Sequence, residues 1–521
     1  MRFVPSLDGG DRLDFSGHSK TVQGVGAIMS STPINLQPSI DPVQSALQRF
    51  FGYSTFRSPQ RDIVECLLQK QDALIVLPTG GGKSICFQLP ALLQPGLTLV
   101  VSPLVALMEN QVQELRHKQL PAALLHSELS RSHYRQTLWQ LANQKLRLLY
   151  LSPESLLNPK VWEILSQPTL MIHALIIDEA HCLALWGDTF RPAYYRLGAV
   201  RRTLRASRQA DCLSHPSPAK MAVAAFTATA DSQTQHTIQR ILQLENPRHF
   251  RVNPYRADLH LAIQTVWTPR QRQHQLLTFI QRQPHQSGLV YVRTRQDSET
   301  LATWLTQAGF HTAAYHAGLT PPERRSTEQQ WLTGALQFVV STNAFGMGID
   351  KPNVRWIAHF HPPLLLSEYL QEVGRAGRDG NPATALMLVS EPTGWLDGTD
   401  KHRQQFFVHQ LQRQYRMAKE VIRKLPPEGE VATVSRQFKD GAIALSLLHQ
   451  LGHLEWTDPF HYVIRSRSPL SHLGQSNQQA TRQMRQYITT RGCRWQFLLH
   501  AFGFEAEAQG FQCGHCDNCQ S

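Results

Sequence analysis

Three groups of residues in this chain have the types and spacing to do chemistry. The first is LPTGGGKSICFQLP, where Gly80, Gly81 and Gly82 precede Lys83 and Ser84. Consecutive glycines let the backbone turn tightly and aim N–H groups at phosphate oxygens. A lysine at the following helix start reaches the β- and γ-phosphates, and the serine hydroxyl can hold Mg²⁺. The strict G-x-x-x-x-G-K-[ST] spacing is not met, because Leu77 stands where its first glycine belongs. Alone, the run also fits a helix start carrying a solvated lysine. The second group is Asp178 and Glu179 in ALIIDEAH, at the end of an apolar run. Asp178 is placed to hold Mg²⁺ and Glu179 to orient or deprotonate a water; acids beginning a helix are the plain alternative. Phosphate loop and strand-end acids, in that order, point to a nucleoside triphosphatase. The third group is Cys493, Cys513, Cys516 and Cys519. Four thiolates with C-x₂-C spacings suit a tetrahedral structural Zn²⁺ with no position left for water. His515 between them is read as a bystander, and Cys66, Cys86, Cys182 and Cys212 as scattered small hydrophobes.

A triphosphatase also needs positive charge at the γ-phosphate in the transition state. QEVGRAGRDG offers Arg375 and Arg378, three apart and expected on one helical face. An arginine supplied by a separate domain makes hydrolysis depend on closure of the cleft between domains. Directly after the acids stand Trp186, Phe190, Tyr194 and Tyr195. Their spacing fits the buried stripe of one helix. Gly187, Asp188 and Pro192 interrupt such a helix and favour a loop, whose rings would suit a ligand that stacks on them.

These groups have to be held by something. From about 41 to 247, helical patterns alternate with the β-rich runs DALIVLP, LTLVVSP, RLLYLSP, ALIIDEA and MAVAAFTATA. A second set, SGLVYVRT, HTAAYHAG, LQFVVST, VRWIAHF and TALMLVS, fills 248 to 395. The alternation predicts an α/β protein with two tandem parallel-sheet domains and ligands at the strands' carboxyl ends. Residues 1–40, rich in Gly, Ser and Pro without periodicity, are expected to form a flexible tail, and TLRASRQADCLSHPSPAK a surface-loop insertion. In 396–480, a long helix stopped by Pro426-Pro427 precedes VATVSRQF, AIALSLLHQLG and HLEWTDPFHYVIRS. That order of helix, helix and hairpin resembles a winged helix. Its Arg436, Lys439, Arg465 and Arg467 are candidates for duplex phosphates, a solvated face being the equal alternative. Residues 481–521 carry the cysteines.

Composition narrows the partners. With 521 residues, 41% hydrophobic and 17% charged, the chain reads as an ordinary soluble protein of several domains. Its net charge of +13 suits a polyanion, although no dense Lys/Arg run marks a footprint. The apolar stretch from Leu89 is broken by Gln94-Pro95-Gly96 and Ser102-Pro103, and the N-terminus has no continuous apolar run. Neither a membrane span nor a secretory signal is expected, which predicts a cytoplasmic address.

In order, FGYSTFRSPQ, LPTGGGKSICFQLP, VVSPLVALMENQV, LYLSPESL, DEAHCLALWGDTFRPAYY, FTATA, YHAGL, STNAFGMGIDKPNVRWIAHF and QEVGRAGRDG resemble the motifs of the RecQ family of superfamily-two DNA helicases. The resemblance spans about residues 45–390, and CRWQFLL…CGHCDNC is similar to the family's zinc module. TGGGKS in place of the strict phosphate-loop pattern is what such helicases carry. The resemblance implies two RecA-like domains followed by a winged-helix-like segment and a zinc module, with ATP, Mg²⁺ and Zn²⁺ as cofactors. It implies adenine recognition by Arg57 and Gln60, and phosphate binding by Thr79, Gly80, Gly81, Gly82, Lys83 and Ser84. Mg²⁺ would sit at Ser84 and Asp178. An aromatic-rich loop, here Trp186, Phe190 and Arg191, would sense single-stranded DNA, with His181 linking it to the acids. The chain departs from the family's common Ser-Gln and His-Asp pairs with Ala184-Leu185 and Asp188-Thr189, which bears on the strength of that coupling. Module order departs too: the winged-helix-like segment, about 428–468, precedes the final cysteines, where the family commonly has it after them. The match is to a short form without a C-terminal HRDC-type domain. The implied activity is ATP-dependent 3′-to-5′ unwinding of duplex and branched DNA in recombination, repair and replication. The implied setting is the nucleoid, with a single-strand-binding protein as a partner. The alternatives are an RNA helicase or remodeller, and a DNA annealing or junction-binding protein.

Overall fold

Helices on both faces of a parallel sheet leave its strands no solvent side, which is why the apolar runs here are continuous instead of alternating. The computed structural model describes residues 41–184, 191–210, 220–345, 351–466 and 475–520. The first sheet is formed by β1 (Ala73–Val76), β2 (Leu97–Val101), β3 (Ala122–Leu125), β4 (Leu148–Leu151), β5 (Ile172–Ile177), β6 (Ala222–Thr227) and β7 (Arg248–Arg251). All seven are parallel, in the order β3-β4-β2-β5-β6-β1-β7. The second sheet holds β8 (Leu259–Val266), β9 (Ser287–Tyr291), β10 (Thr312–Tyr315), β11 (Phe338–Ser341), β12 (Val354–His359) and β13 (Ala383–Ser390), again all parallel, in the order β10-β11-β9-β12-β13-β8. The expected strand runs are all present. The runs that form β3, β7 and β8 were not among them. Ala122–Leu125 lacks β-branched residues, β7 carries two arginines, and both are edge strands.

One buried ion pair fixes where β1, and so the phosphate loop after it, begins. Asp72 accepts from Arg201 Nη1 at 2.8 and 2.6 Å and from the backbone N–H groups of Val223 (2.9 Å) and Glu245 (2.6 Å). Arg201 lies in the helix Gly198–Ala210. That helix corrects the expectation of a surface insertion: Thr203–Ala210 continues it, its apolar side packing Val200 and Leu204 into the core. The remainder of the expected insertion, 211–219, lies outside the described residues, as does the N-terminal tail.

Beyond β13 the helix Thr399–Lys424 runs 26 residues, about 39 Å at 1.5 Å per residue. Its first turns belong to the second domain, through Arg403 to Asp297 (2.8 Å) and Asp400 to Arg272 (2.9 Å). Its later residues Leu411, Ala418 and Ile422 enter the core of the first. There follow β14 (Glu428–Glu430), helices Val431–Gln437 and Gly441–Gln450, and β15 (Leu454–Trp456) with β16 (His461–Ile464) in a three-stranded antiparallel sheet ordered β14-β16-β15. This is the topology of a winged helix. The chain then returns to the second domain, where helices Gln475–Thr489 and Arg494–Ala501 pack beside β8 and Tyr369. Among the described residues no helix is long and apolar enough to cross a membrane.

Asp72→Ala leaves the buried Arg201 with only the exposed Glu245, 3.1 Å away, as counter-charge and strips the acceptor from two backbone N–H groups, so it should cost about 3–5 kcal/mol of stability. Urea unfolding of the first domain's signal checks this; a loss under 1 kcal/mol, the scale of an exposed pair, would show that the pair does not anchor β1.

Candidate nucleotide site and zinc centre

After β1 the chain leaves the sheet through Leu77-Pro78, and Gly80 (φ +80°) and Gly82 (φ +70°) take left-handed conformations before the helix Lys83–Leu93. Gly82 has a second reason to be glycine: an added Cβ would stand 2.2 Å from Gln60 Nε2. Gln60 is buried and donates to the carbonyls of Gly81 (3.1 Å) and Gly82 (3.4 Å), while Arg57 donates to Gly80 (3.2 Å). Both residues expected at the adenine thus brace the phosphate loop itself. Ser84 Oγ accepts from Gln111 Nε2 at 3.0 Å. Sequence reasoning missed Gln111; it sits in the quoted MENQV run but has no chemistry that marks it alone.

Asp178 and Glu179 close β5 and are both buried. Glu179 turns the corner with φ +49°, a left-handed conformation unusual for a side-chain-bearing residue and frequent at functional sites. Asp178 Oδ1 accepts from the Glu179 N–H at 3.0 Å. Lys83 Nζ lies 3.8 Å from Glu179 Oε1, and His181 Nδ1 lies 3.2 Å from Glu179 Oε2 and 3.1 Å from Thr227 Oγ1. Burial, with Glu179 adjacent, pushes the Asp178 carboxyl up to about 7. Burial acts on Glu179 in the same direction, but Lys83, His181 and Arg375 outweigh it and hold that carboxyl at about 2. A carboxyl pushed up by burial and an anionic neighbour, with a serine hydroxyl on the adjoining loop, is a hard-oxygen donor set of the kind Mg²⁺ takes.

The second domain reaches this site through the turn after helix Leu366–Val373. Thr79 Oγ1 donates to the Gly374 carbonyl at 2.7 Å, and a Cβ on Gly374 would meet that hydroxyl at 2.5 Å. Arg375 is buried, and Arg378 Cγ lies 3.7 Å from where a Gly80 Cβ would stand. The expectation that the two arginines share a helical face is corrected: the helix ends at Val373, and both lie in the turns that follow, where Gly377 has φ +63°. Two glycines so close together favour release from the helix. The helix end is held from inside the domain by Glu372, which binds His359 (2.8 Å) and Arg293 (3.2 Å). Arg325 to Glu109, at 3.3 Å, is a further contact across the cleft.

Trp186 and Phe190 lie outside the described residues. The other two rings of the aromatic run are core: Tyr194 and Tyr195 are buried in the short turn Pro192–Arg196. Tyr195 donates its hydroxyl to the Leu183 carbonyl at 2.7 Å, so the segment after the acids leaves and rejoins the domain at one point. Arg191 is half-buried, 3.6 Å from Glu154.

The sulfurs of Cys493, Cys513, Cys516 and Cys519 all lie within 4.8 Å of one another. The N–H groups of Cys513, Cys516 and Arg494 point at the sulfurs of Cys493 (3.3 Å), Cys513 (3.2 Å) and Cys516 (3.4 Å), as they do where thiolates are stabilised for a metal. His515 turns away, its Nε2 meeting the Tyr255 hydroxyl at 3.2 Å. Arg494 braces Asp517 (2.9 Å), and Asp517 accepting from the Ile263 N–H (2.8 Å) with Trp495 Nε1 donating to the Leu259 carbonyl (3.2 Å) fastens the cluster to β8. The set fits Zn²⁺.

Comparison with known proteins agrees with this geometry. Residues 57–238 match the family model described as DEAD/DEAH box helicase, 271–380 the helicase conserved C-terminal domain, and 460–520 the RecQ zinc-binding model. The chain is 51% identical over 481 residues, 92% of its own length and 98% of the relative's, to an ATP-dependent DNA helicase RecQ of Synechocystis. It is 39% identical over 354 residues to the RecQ helicase of Haemophilus influenzae, covering 68% of this chain and 54% of that one. Among solved structures it is similar to the helicase MrfA bound to DNA (TM-score 0.56, 17% identity, 83% of this chain and 60% of that chain) and to the Mycobacterium smegmatis helicase Lhr bound to single-stranded DNA and AMP-PNP (TM-score 0.53, 17% identity, 85% and 62%). At that identity the structures speak for the fold.

Cys513→Ser should lose the bound zinc measured by metal analysis of the purified chain, and with it solubility, since the cluster is continuous with the second domain's core. A soluble, metal-free and active variant would refute a structural zinc.

Proposed function

The chain belongs to the RecQ family of ATP-dependent DNA helicases, and from that premise we propose that it hydrolyses ATP to move 3′-to-5′ along single-stranded DNA, unwinding duplex and branched DNA in recombination, repair and replication. The observation that carries the reading is the meeting, at one cleft, of Lys83 and Glu179 from the first domain with Arg375 from the second. The N–H groups of Gly80–Ser84 cradle the phosphates and Lys83 takes the β- and γ-phosphates. Arg57 and Gln60, which stand beside the loop, read the adenine. Ser84 and Asp178 would hold Mg²⁺, which would offset phosphate charge when bound. Glu179, held ionised by its cations, is a weak base; its role is to orient the attacking water and accept its hydrogen bond. Once Lys83 turns to the phosphates, Glu179 loses a neighbouring cation and becomes more basic at the moment water must be activated. Arg375 and Arg378 meet the charge that develops on the γ-phosphate, so hydrolysis requires a closed cleft.

Coupling to DNA runs through the segment after the acids. Trp186, Phe190 and Arg191 contact the single strand, rings stacking on bases without reading sequence. His181, between Glu179 and the Thr227 hydroxyl, passes their position to the site. Single-stranded and branched DNA are the substrates, and a single-strand-binding protein is a natural partner on the nucleoid.

Strand displacement on 3′-tailed and 5′-tailed duplexes with ATP tests this reading. The 3′-tailed duplex alone should be unwound, and Lys83→Ala should abolish it. Glu179→Gln should keep nucleotide binding while hydrolysis falls about 10²-fold or more. Hydrolysis without unwinding of either duplex would turn the reading toward an annealing protein, and stimulation by RNA alone toward an RNA remodeller.

A further inference from the structure

In a DNA-binding helix-turn-helix the second helix lies in the major groove and presents polar and basic side chains to it. The corresponding helix here, Gly441–Gln450 (GAIALSLLHQ), has no charged residue apart from a histidine. Ala444, Leu445, Leu447 and Leu448 are buried in a core shared with the first domain. The face a winged helix gives to DNA is therefore spent on protein. Of the module's basic residues, Arg465 is paired with Glu455 at 2.8 Å, Arg436 bonds within its own helix, Lys439 is exposed, and Arg467 lies outside the described residues.

What that face touches is specific. Ser446 Oγ reaches the Pro192 carbonyl (3.4 Å) as well as that of Ala442 (2.9 Å), and the His449 ring stands edge-on to Tyr195 with centroids 6.5 Å apart. The hairpin between β15 and β16 grips the same region: Arg196 donates to the Pro459 carbonyl at 3.3 Å, and Arg202 to Thr457 at 3.1 Å. Pro192–Arg196 is the returning stem of the segment that follows the acids, and Tyr195 bonds across to Leu183 on the leaving stem. Leu183 is in the same short turn as His181, four residues after Glu179. The module's other end is the long helix rooted in the second domain.

We propose that the winged-helix-like module is an intramolecular positioning element: through Ser446, His449 and Tyr195 it sets the stems of the segment between Glu179 and the first domain's core, and so sets how strongly DNA stimulates hydrolysis. This rests on the reading above that Trp186 and its neighbours sense the single strand. The module's attachment to both domains gives closure of the cleft a mechanical route to those stems, separate from the direct one through Arg375. It also accounts for the module's place in the chain. Placed ahead of the cysteine module, on the long helix, it shares a core with the first domain while the cysteine module shares one with the second.

The test uses the full chain and measures ATP hydrolysis against single-stranded oligonucleotide concentration. His449→Ala removes the ring against Tyr195, and Tyr195→Phe keeps the ring but removes the bond to Leu183; the second reads the same link should the first fail to fold. Both should hydrolyse ATP without DNA at the parent rate, while maximal stimulation falls, or the DNA needed for half of it rises, by about fivefold or more. Trp186→Ala is the control that separates the two readings. If it abolishes stimulation and neither positioning variant changes it, the module has no such role although the DNA reading stands. If DNA-free and DNA-stimulated rates fall together in the positioning variants, the contact is merely structural and the proposal is overturned. If Trp186→Ala leaves stimulation intact, the DNA reading fails and this one with it.

Discussion

Two adjacent carboxyl groups taken out of water cannot both stay ionised unless cations face them. Glu179 meets that constraint with charges drawn from three separate places, Lys83 at the start of the phosphate-loop helix, His181 two residues on, and Arg375 from the other domain, while Asp178 beside it is pushed up. The site is consequently stable as a unit only when those pieces are together. Separating the domains withdraws Arg375 and the Thr79–Gly374 bond at once. Bringing nucleotide in draws Lys83 toward phosphate. The same electrostatic requirement that joins these pieces makes their charge balance responsive to what binds there.

The C-terminal region is built around the same division. Its winged-helix-like part shares a core with the first domain and its cysteine module shares one with the second. The 26-residue helix joins them. Arg251, in β7 of the first domain, also donates to the carbonyls of Phe502 (3.0 Å) and Gly503 (2.8 Å) beside the cysteine module. The appended modules thus hold both sides of the cleft instead of extending one end of the chain, and any change in cleft width has to be taken up by these joints.

Much of this was legible in the sequence, for a physical reason. Phosphate cradles, strand-end acids and thiolate clusters need neighbouring residues of fixed type, so they survive as short strings. Strands buried on both faces survive as apolar runs. What was not legible depends on partners distant in sequence. Gln111 matters through Ser84, and Glu372 through His359 and Arg293. Tyr194 and Tyr195 stand in the same run as Trp186 and Phe190, yet the five-residue turn Pro192–Arg196 puts these two in the core. Spacing alone could not separate rings that pack from candidates for stacking, because both fall within one run. The helical face expected for Arg375 and Arg378 failed because spacing records periodicity and not the point at which glycines end a helix.

The leucine that breaks the strict phosphate-loop pattern makes the same point from the other side. Leu77 is buried, and its N–H donates to the Thr227 carbonyl at 3.0 Å, carrying the pairing of β1 with β6 one residue beyond the strand. A glycine there would give up that core contact and add freedom where the loop leaves the sheet. Thr227 is also the residue whose hydroxyl meets His181. One residue therefore fixes the entrance of the phosphate loop with its backbone and the histidine beside Glu179 with its side chain. The loop that holds phosphate and the histidine beside the acid thus share a single reference on β6, and the buried leucine side chain at position 77 stiffens the loop's end of it.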